Sequence, residues 1–335
     1  MTETSPRPTT IPHLGPPSVV RRAPWQDSEE VRVSNWVTPW DGVETIDAGL
    51  VGLPYSGASI TAGSAAGGPE AIRLAFRSNT TYSADFDVDV QRLRVRDLGD
   101  VGGHLTDVGV AHAKIEAAVA AITTREPHFV PIMLGGDHSV TAPAVRGFAA
   151  ARAGRRIGLI NIDAHHDVRN MEHGPHNGTP FRQLIEGGQV AGENLVELGI
   201  HGFVNSARYQ RWLLDRGGTV ISARTVQREG MEACVAEALR IAAEGADLVY
   251  VSVDIDCLAY PWAAGTSAST AEGLSAWQLL EAVWACGLHP KVAAFDLVEV
   301  DPSRDTQNLT ARTACSTILT FLAGLATRTG VAVPA

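Results

Sequence analysis

The chain consists of short apolar runs separated by longer segments of mixed character. About eight runs rich in Val, Ile and Leu predict strands buried on both faces, at 48–53, 93–98, 129–134, 157–162, 194–200, 219–222, 248–253 and 292–298. Helices are predicted between most of them, one beginning at Pro69 and others over 107–122, 179–185, 231–243, 275–284 and 310–326. Strands that alternate with helices imply right-handed crossovers and one mostly parallel sheet, so the predicted class is α/β. A TIM barrel is the competing architecture for a strand count near eight.

Residues 1–45 differ from the rest of the chain. They are rich in proline and contain Trp25, Trp36 and Trp40. We expect the first dozen or so residues of this N-terminal extension to be disordered, and the following segment to dock on the domain through the tryptophans. The alternative is that the whole stretch is a loose tail. Residues 46–335 contain no linker or repeat strong enough to divide them, and we expect a single domain there.

Metal-type side chains follow the predicted strand at 157–162. Asp163, His165 and Asp167 come directly after it, where ligand groups collect beyond the carboxyl ends of parallel strands. If the chain stays extended there, residues i, i+2 and i+4 point the same way, so two carboxylates and an imidazole converge. Hard oxygen ligands with one nitrogen suit a divalent ion such as Mn²⁺. Taken alone, the motif could also be a solvated acidic turn.

Two other strand ends carry residues of the same kind. His138 follows the strand at 129–134, and Asp254 and Asp256 end the strand at 248–253. Six such ligands are more than one tetrahedral site needs. They match two ions of higher coordination number, which would lower the pKa of a shared water so that hydroxide forms near neutral pH.

The glycine- and serine-rich stretch 54–68 lacks a nucleotide-binding fingerprint and is predicted to be a flexible active-site loop.

Composition and charge narrow the range of partners. The 335-residue chain is 45% hydrophobic with a net charge of −10, which argues against nucleic acid. We find no apolar run that approaches a transmembrane helix and no signal pattern at the N-terminus, so we expect no membrane partner. The four cysteines are scattered without metal-type pairing, which indicates reduced thiols and a cytoplasmic location.

Three motifs together resemble the ureohydrolases, the family of arginase, agmatinase and formimidoylglutamase. They are Gly-Gly-Asp-His-Ser at 135–139, Asp-Ala-His-x-Asp at 163–167 and Ser-x-Asp-x-Asp at 252–256. The resemblance runs from about Gly52 to the C-terminus. It implies a three-layer α/β/α fold, two Mn²⁺ per chain and hydrolysis of a C–N bond at an amidine or guanidine carbon, and we expect a homo-oligomer. The implied metal ligands are His138, Asp163, His165, Asp167, Asp254 and Asp256.

The same resemblance implies roles for residues around the metals. Glu299 matches the family glutamate that receives the cationic amidine group. Asn177 stands where arginase and agmatinase have a histidine, and we expect it to bind substrate. Arg169 stands where arginase has an uncharged polar residue, and its guanidinium would clamp a substrate carboxylate; a surface pair with Glu172 is the alternative. Further likenesses to formimidoylglutamase are Gly-Thr-Pro-Phe-Arg at 178–182, Asn205-Ser206 with Tyr209, and Ala311-Arg312.

The predicted reaction is the hydrolysis of N-formimidoyl-L-glutamate to L-glutamate and formamide, a step of histidine degradation. We expect Asp167 and Glu299 to be catalytic, with Asp167 relaying a proton to the departing amine. One alternative is an agmatinase or guanidino-acid hydrolase, which releases urea; another is a metal-binding family member without catalysis. A proton-shuttle role stays open for the loop residues His173 and His176, and with less support for His201, whereas His166 is expected to be packed.

Overall fold

The structure, a computed structural model, describes residues 10–25, 27–103 and 106–328. Residues 1–9, where the sequence predicts disorder, lie outside the described residues. The strands are β1 Leu14–Gly15, β2 Thr38–Pro39, β3 Ala48–Gly52, β4 Tyr82–Ser83, β5 Val88–Asp89, β6 Val95–Val101, β7 Val130–Leu134, β8 Ile157–Ile162, β9 Val190–Ile200, β10 Thr219–Ser222, β11 Leu248–Asp254 and β12 Val292–Val298. The α-helices are α1 Val33–Trp36, α2 Gly68–Ala75, α3 Val108–Arg125, α4 Thr141–Ala151, α5 Pro180–Glu186, α6 Ala207–Leu214, α7 Ala223–Glu229, α8 Met231–Ala242, α9 Ala276–Leu288 and α10 Leu309–Thr327.

One parallel sheet forms the centre of the molecule. Its eight long strands run in the order β6-β3-β7-β12-β11-β8-β9-β10, and each corresponds to one of the predicted apolar runs. Two further strands lengthen the β6 edge, β1 antiparallel and β2 parallel, so the sheet has ten strands instead of about eight. These two contain only two residues each, too few to give an apolar run. The sheet is open, which excludes the TIM barrel.

Helices cover both faces of this sheet and make three layers, as predicted. One apolar core joins the sheet to α2, α7, α8, α9 and α10, and a second joins its other face to α3, α4, α5 and the end of α6. Phe295 of β12 lies in the first core and Tyr250 of β11 in the second, both fully buried. Burial on both faces explains why the central strands are apolar without alternation.

Helix α10 corrects one expectation from the sequence. The segment Thr306–Thr327 is long and apolar enough to cross a membrane by length and composition alone, so the statement that no run approaches that length was wrong. The segment is 72% buried inside the protein. Its apolar residues pack against the sheet, for example Phe321, which stacks on Phe295. The burial explains its composition as that of a core helix.

The tryptophans of the N-terminal segment behave differently from one another. Trp36 packs partly buried against the first core, and Trp40 lies under the Arg125 guanidinium, 4.8 Å from the ring centre. Trp25 is 70% exposed, so the expectation that all three tryptophans dock was wrong for this one.

Strand register brings the polar strand ends together. The four central strands β7, β12, β11 and β8 are neighbours in the sheet. Leu297 pairs with Leu134, Asp254 with Val298, and Val253 with Ile162. These strands therefore end at nearly the same level, and the residues that follow them meet at one edge.

Candidate metal centre

A tight turn after β7 positions His138. Gly136 passes so close to the carbonyl of Tyr55 that a side chain at that position would overlap it. The amide of Asp137 donates to that same carbonyl at 2.9 Å, and the Asp137 carboxylate accepts from the amides of Ala58 and Ser139. The turn is thus tied to the 54–68 loop, and His138 is held in the interior at 1% exposure.

His138 meets three carboxylates from two other strand ends. Its Nδ1 lies 3.0 Å from Asp167 Oδ2 and 3.3 Å from an oxygen of both Asp163 and Asp254. This nitrogen is buried, yet it makes no hydrogen bond of acceptable geometry within the described structure. Buried polar atoms are nearly always satisfied, so the orphaned nitrogen marks a place for a cation among these oxygens.

A second group shares Asp163. His165 Nδ1 lies 3.0 Å from Asp256 Oδ2 and 3.6 Å from Asp163 Oδ1. In each of the two groups, one with His138 and Asp254 and one with His165 and Asp256, the ligand atoms all lie within 4.8 Å of one another. Asp163 presents a different oxygen to each group, which is the arrangement of a carboxylate that bridges two ions.

The protonation of these residues fits a site built for cations. Burial alone would lower the pKa of His138, but Asp163, Asp167 and Asp254 outweigh it and raise the pKa well above the usual value. Burial is likewise outweighed at His165, where Asp256 and Asp163 raise the pKa to about 12. In the absence of a metal ion, protons on these two imidazoles therefore supply positive charge to the site. Carboxylate oxygens with two imidazoles are ligands that suit Mn²⁺, so the residues present fit two such ions.

Two of the predicted site residues adopt unusual backbone conformations. Asp167 has φ 47° and Glu299 has φ 64°, in the left-handed region that costs energy for a non-glycine residue. The expectation of an extended chain through 163–167 was therefore wrong, because the chain bends after β8. The bend still brings the Asp167 carboxylate to His138.

Glu299 is buried beside the ligands, at 3% exposure. Its Oε1 accepts from the amide of His138 at 2.9 Å and from Asn177 Nδ2 at 3.0 Å. Among the described residues, its Oε2 accepts only from the Ser267 hydroxyl, at 3.5 Å. Burial and the nearby charge of Asp137 raise the pKa of Glu299 to about 8. A neighbouring cation would restore its charge at neutral pH.

These groups surround a cavity of about 90 Å³. Arg169 lines it, and within the described residues its guanidinium forms no ion pair, with Glu172 or any other acidic residue. His138 and Asp163 lie behind the lining. The residues that line the cavity are Ile60, Thr61, His165, Asp167, Arg169, Asn177, Gly178, Asp254, Asp256, Ser267, Ala268 and Glu299.

Four histidines that the sequence analysis considered, His166, His173, His176 and His201, lie outside this lining. His166 is buried with its Nδ1 3.0 Å from Glu197 Oε2. His176 accepts a hydrogen bond from the Gly178 amide and shapes the loop, while His173 is exposed. His201 is buried, with Nδ1 2.7 Å from the hydroxyl of Thr270 and Nε2 3.0 Å from the carbonyl of Cys257.

Some residues of the site were missed in the sequence. The Nε2 atom of His138 lies 3.0 Å from the Ser252 hydroxyl, and this hydroxyl donates to Asp296 Oδ1 at 2.6 Å. Asn161 donates to Asp163 at 3.1 Å. A signal existed for Asn161 and Asp296, because each is a lone polar residue inside an apolar strand. Ser267 lies in a loop and carries no such signal.

Comparison with known proteins gives a consistent result. Residues 46–324 match the model of the arginase family. The chain is 38% identical to a formimidoylglutamase of Halalkalibacterium halodurans, over 90% of this chain and 94% of that protein. Its fold is similar to the crystal structure of formimidoylglutamase from Bacillus subtilis, with a TM-score of 0.87 and 33% identity over 92% of this chain and 97% of that one. It is also similar to Trypanosoma cruzi formiminoglutamase with two Mn²⁺, with a TM-score of 0.81 and 28% identity over 89% and 99% of the two chains.

Proposed function

The chain belongs to the arginase family, and on that premise we propose that it hydrolyses N-formimidoyl-L-glutamate to L-glutamate and formamide. It is thus a hydrolase of C–N bonds in linear amidines. The proposal extends to this chain the activity named for its relatives, and it needs a cavity that accepts both a cation and a carboxylate.

Arg169 is the observation that carries the choice of substrate. It lines the same cavity as Glu299, and it has no acidic partner in the described parts of the chain. A guanidinium pairs well with a carboxylate, and formimidoylglutamate offers two. Agmatine offers none and would bring a second positive charge to Arg169.

We assign the metal ligands by the two groups around Asp163. His138, Asp163, Asp167 and Asp254 would hold one Mn²⁺, and Asp163, His165 and Asp256 would hold the other. When bound, two such ions supply a nucleophilic water at neutral pH and positive charge for the transition state.

The chain's own residues bind the substrate and move its protons. Glu299 receives the amidinium, and Arg169 holds a carboxylate of the glutamate part. Water oxygen bonds to the formimidoyl carbon, and the bond from that carbon to the glutamate nitrogen breaks. Asp167 relays a proton from the water to this nitrogen, which leaves as the amine of L-glutamate. The carbon keeps its terminal nitrogen and departs as formamide.

Product analysis tests this proposal. The Mn²⁺-loaded protein is given N-formimidoyl-L-glutamate, agmatine and 4-guanidinobutyrate, and formamide, urea and L-glutamate are measured. We expect formamide and L-glutamate in equal amounts from the first compound, at the highest kcat/KM of the three. Urea as the main product would favour an agmatinase or guanidino-acid hydrolase, and inactivity toward all three would favour a family member without catalysis.

Two further properties belong to this proposal. We expect a homo-oligomer, which light scattering would detect. The four cysteines are free and buried, which supports a cytoplasmic location because reduced thiols persist there.

A further inference from the structure

We propose that Asn177 is a positioning residue that sets a preference for a formimidoyl group over a guanidine group, because it occupies one oxygen of Glu299. This inference rests on the proposed function. It concerns which planar cation the cavity accepts, and it follows from hydrogen bonds that are already present without substrate.

The amide of Asn177 is held in one orientation. Its Oδ1 accepts from the backbone amide of Ile60 at 3.1 Å, and its Nδ2 donates to Glu299 Oε1 at 3.0 Å. The second hydrogen on Nδ2 faces the Ser59 hydroxyl at 3.4 Å. A backbone N–H can only donate and an ionised carboxylate can only accept, so a flipped amide would lose both main bonds. Asn177 therefore links the 58–60 segment to Glu299.

The two oxygens of Glu299 are left unequal by these contacts. Oε1 accepts from Asn177 and also from the His138 amide at 2.9 Å. A carboxylate oxygen has two lone-pair directions, so Oε1 is saturated. Oε2 makes only the long contact with Ser267, at 3.5 Å, within the part of the chain that the structure describes. A fork-like pair needs one lone pair on each oxygen, and Glu299 can offer a substrate only Oε2.

A formimidoyl group and a guanidine group differ in the number of N–H donors that they present to Glu299. Both have one nitrogen bonded to the rest of the substrate and one terminal nitrogen that can pair with Oε2. The guanidine carries an additional terminal nitrogen where the formimidoyl group has a C–H. With Oε1 saturated, the additional N–H donors find no acceptor on Glu299, and an unpaired donor in a buried site weakens binding. The C–H needs no partner.

The test compares two substrates with the same glutamate part. N-formimidoyl-L-glutamate and N-carbamimidoyl-L-glutamate are given to the Mn²⁺-loaded wild type and to Asn177→Ala, and the ratio of their kcat/KM values is measured. Removal of the amide frees a lone pair on Oε1, so we expect the preference for the formimidoyl compound to fall about tenfold or more. A loss of general loop order would lower both values and leave their ratio unchanged.

Calorimetry with N-carbamimidoyl-L-glutamate gives a second readout that does not depend on turnover of the formimidoyl compound. We expect its affinity for the Mn²⁺-loaded variant to rise about tenfold. Asn177→Leu introduces a side chain similar in size to asparagine and removes the donor without adding a charge, so it should shift the ratio in the same direction if Asn177→Ala does not fold. Ser59→Ala, which keeps the bond to Glu299, should leave the ratio within about twofold.

The outcomes separate this inference from the proposed function. An inactive wild type would end the proposed function, and the calorimetric affinity would then decide the role of Asn177. An active wild type whose substrate ratio and guanidine affinity are both unchanged in the Asn177 variants would overturn the inference alone.

Discussion

Arg169 and Glu299 line one small cavity, and with metal ions bound they would present opposite charges to it. A substrate that fits both must carry a cation and a carboxylate. The arginine is exposed and has no acidic partner among the described residues, so its charge is available to a ligand. In the proposed function, this single side chain would separate formimidoylglutamate from agmatine more sharply than the metal ligands, which would serve either substrate.

Replacement of Arg169 tests that role. Arg169→Ala removes a charge-assisted pair worth about 1.5–3 kcal/mol, so we expect kcat/KM for N-formimidoyl-L-glutamate to fall about tenfold to more than a hundredfold. Metal content should stay intact, because Arg169 is not among the proposed ligands. A neutral or cationic amidine without the carboxylate should be affected little. Steady-state kinetics with both substrates makes the comparison.

Glu172→Ala is the matched control for this experiment. Glu172 is exposed and does not line the cavity, so its loss should leave kcat/KM near the wild-type value. A normal rate for Arg169→Ala, or equal losses in the two variants, would remove the carboxylate clamp and strengthen the agmatinase alternative.

At the scale of elements, the sequence predicted the buried strands better than the short helices. The central strands, such as β7 and β11, are mostly apolar because both of their faces are buried. Helices α1, α4, α6 and α7 were missed. They have 4, 11, 8 and 7 residues, and α6 buries only Leu213, so no apolar stripe marks it. Strands β1 and β2 form by pairing with β6, and no hydrophobic pattern within their own residues predicts that pairing.

The candidate site also combines features that the sequence predicted with features that it did not. The proposed metal ligands were predictable because they follow strands within short motifs, and parallel strands end at one edge. The left-handed backbone at Asp167 and Glu299 was not predictable, because it is imposed by contacts from other elements. The link from Asn177 to Glu299 spans 122 positions, and the sequence alone gave only a place for Asn177 in the substrate pocket.

A buried ion triad joins α2 to β6 and gives a prediction about stability. Arg73 Nε lies 2.7 Å from Asp97 Oδ2, and Arg73 Nη1 lies 2.6 Å from Asp100 Oδ1, with all three side chains nearly buried. Arg73→Ala would leave two buried carboxylates without a cation, so we expect the free energy of unfolding to fall by about 3–5 kcal/mol. Urea denaturation followed by circular dichroism measures it.

Arg94 provides the comparison for this prediction. It pairs with Asp47 at 3.0 Å, but its side chain is 44% exposed. Surface pairs contribute about 0–1 kcal/mol, so Arg94→Ala should change the free energy of unfolding much less. If Arg73→Ala costs no more than Arg94→Ala, the triad does not hold α2 to the sheet.

For the molecule as a whole, protons and metal ions compete for one centre. The neighbouring carboxylates raise the pKa of His138 and raise that of His165 to about 12, which favours the protonated imidazoles in the metal-free protein. A metal ion binds the neutral imidazole and must displace these protons. The apparent affinity for Mn²⁺ should therefore rise with pH, with net proton release on binding.

Calorimetric titration of metal-free protein with Mn²⁺ measures this coupling. Buffers of different ionisation enthalpy give the number of protons released. Repeating the titration between about pH 6 and about pH 8.5 gives the dependence of the affinity on pH. Proton uptake, or an affinity that does not change with pH, would mean that the two histidines are not displaced by the metal.

The most direct test of the central claim counts metal ions in the active protein. Elemental analysis of purified protein that releases formamide from N-formimidoyl-L-glutamate should find two Mn²⁺ per chain, in agreement with two ligand groups that share Asp163. Chelation should remove the ions and the activity together, and Mn²⁺ should restore both. A fully active protein with one ion per chain, or activity that survives complete removal of metal, would contradict the two-metal centre.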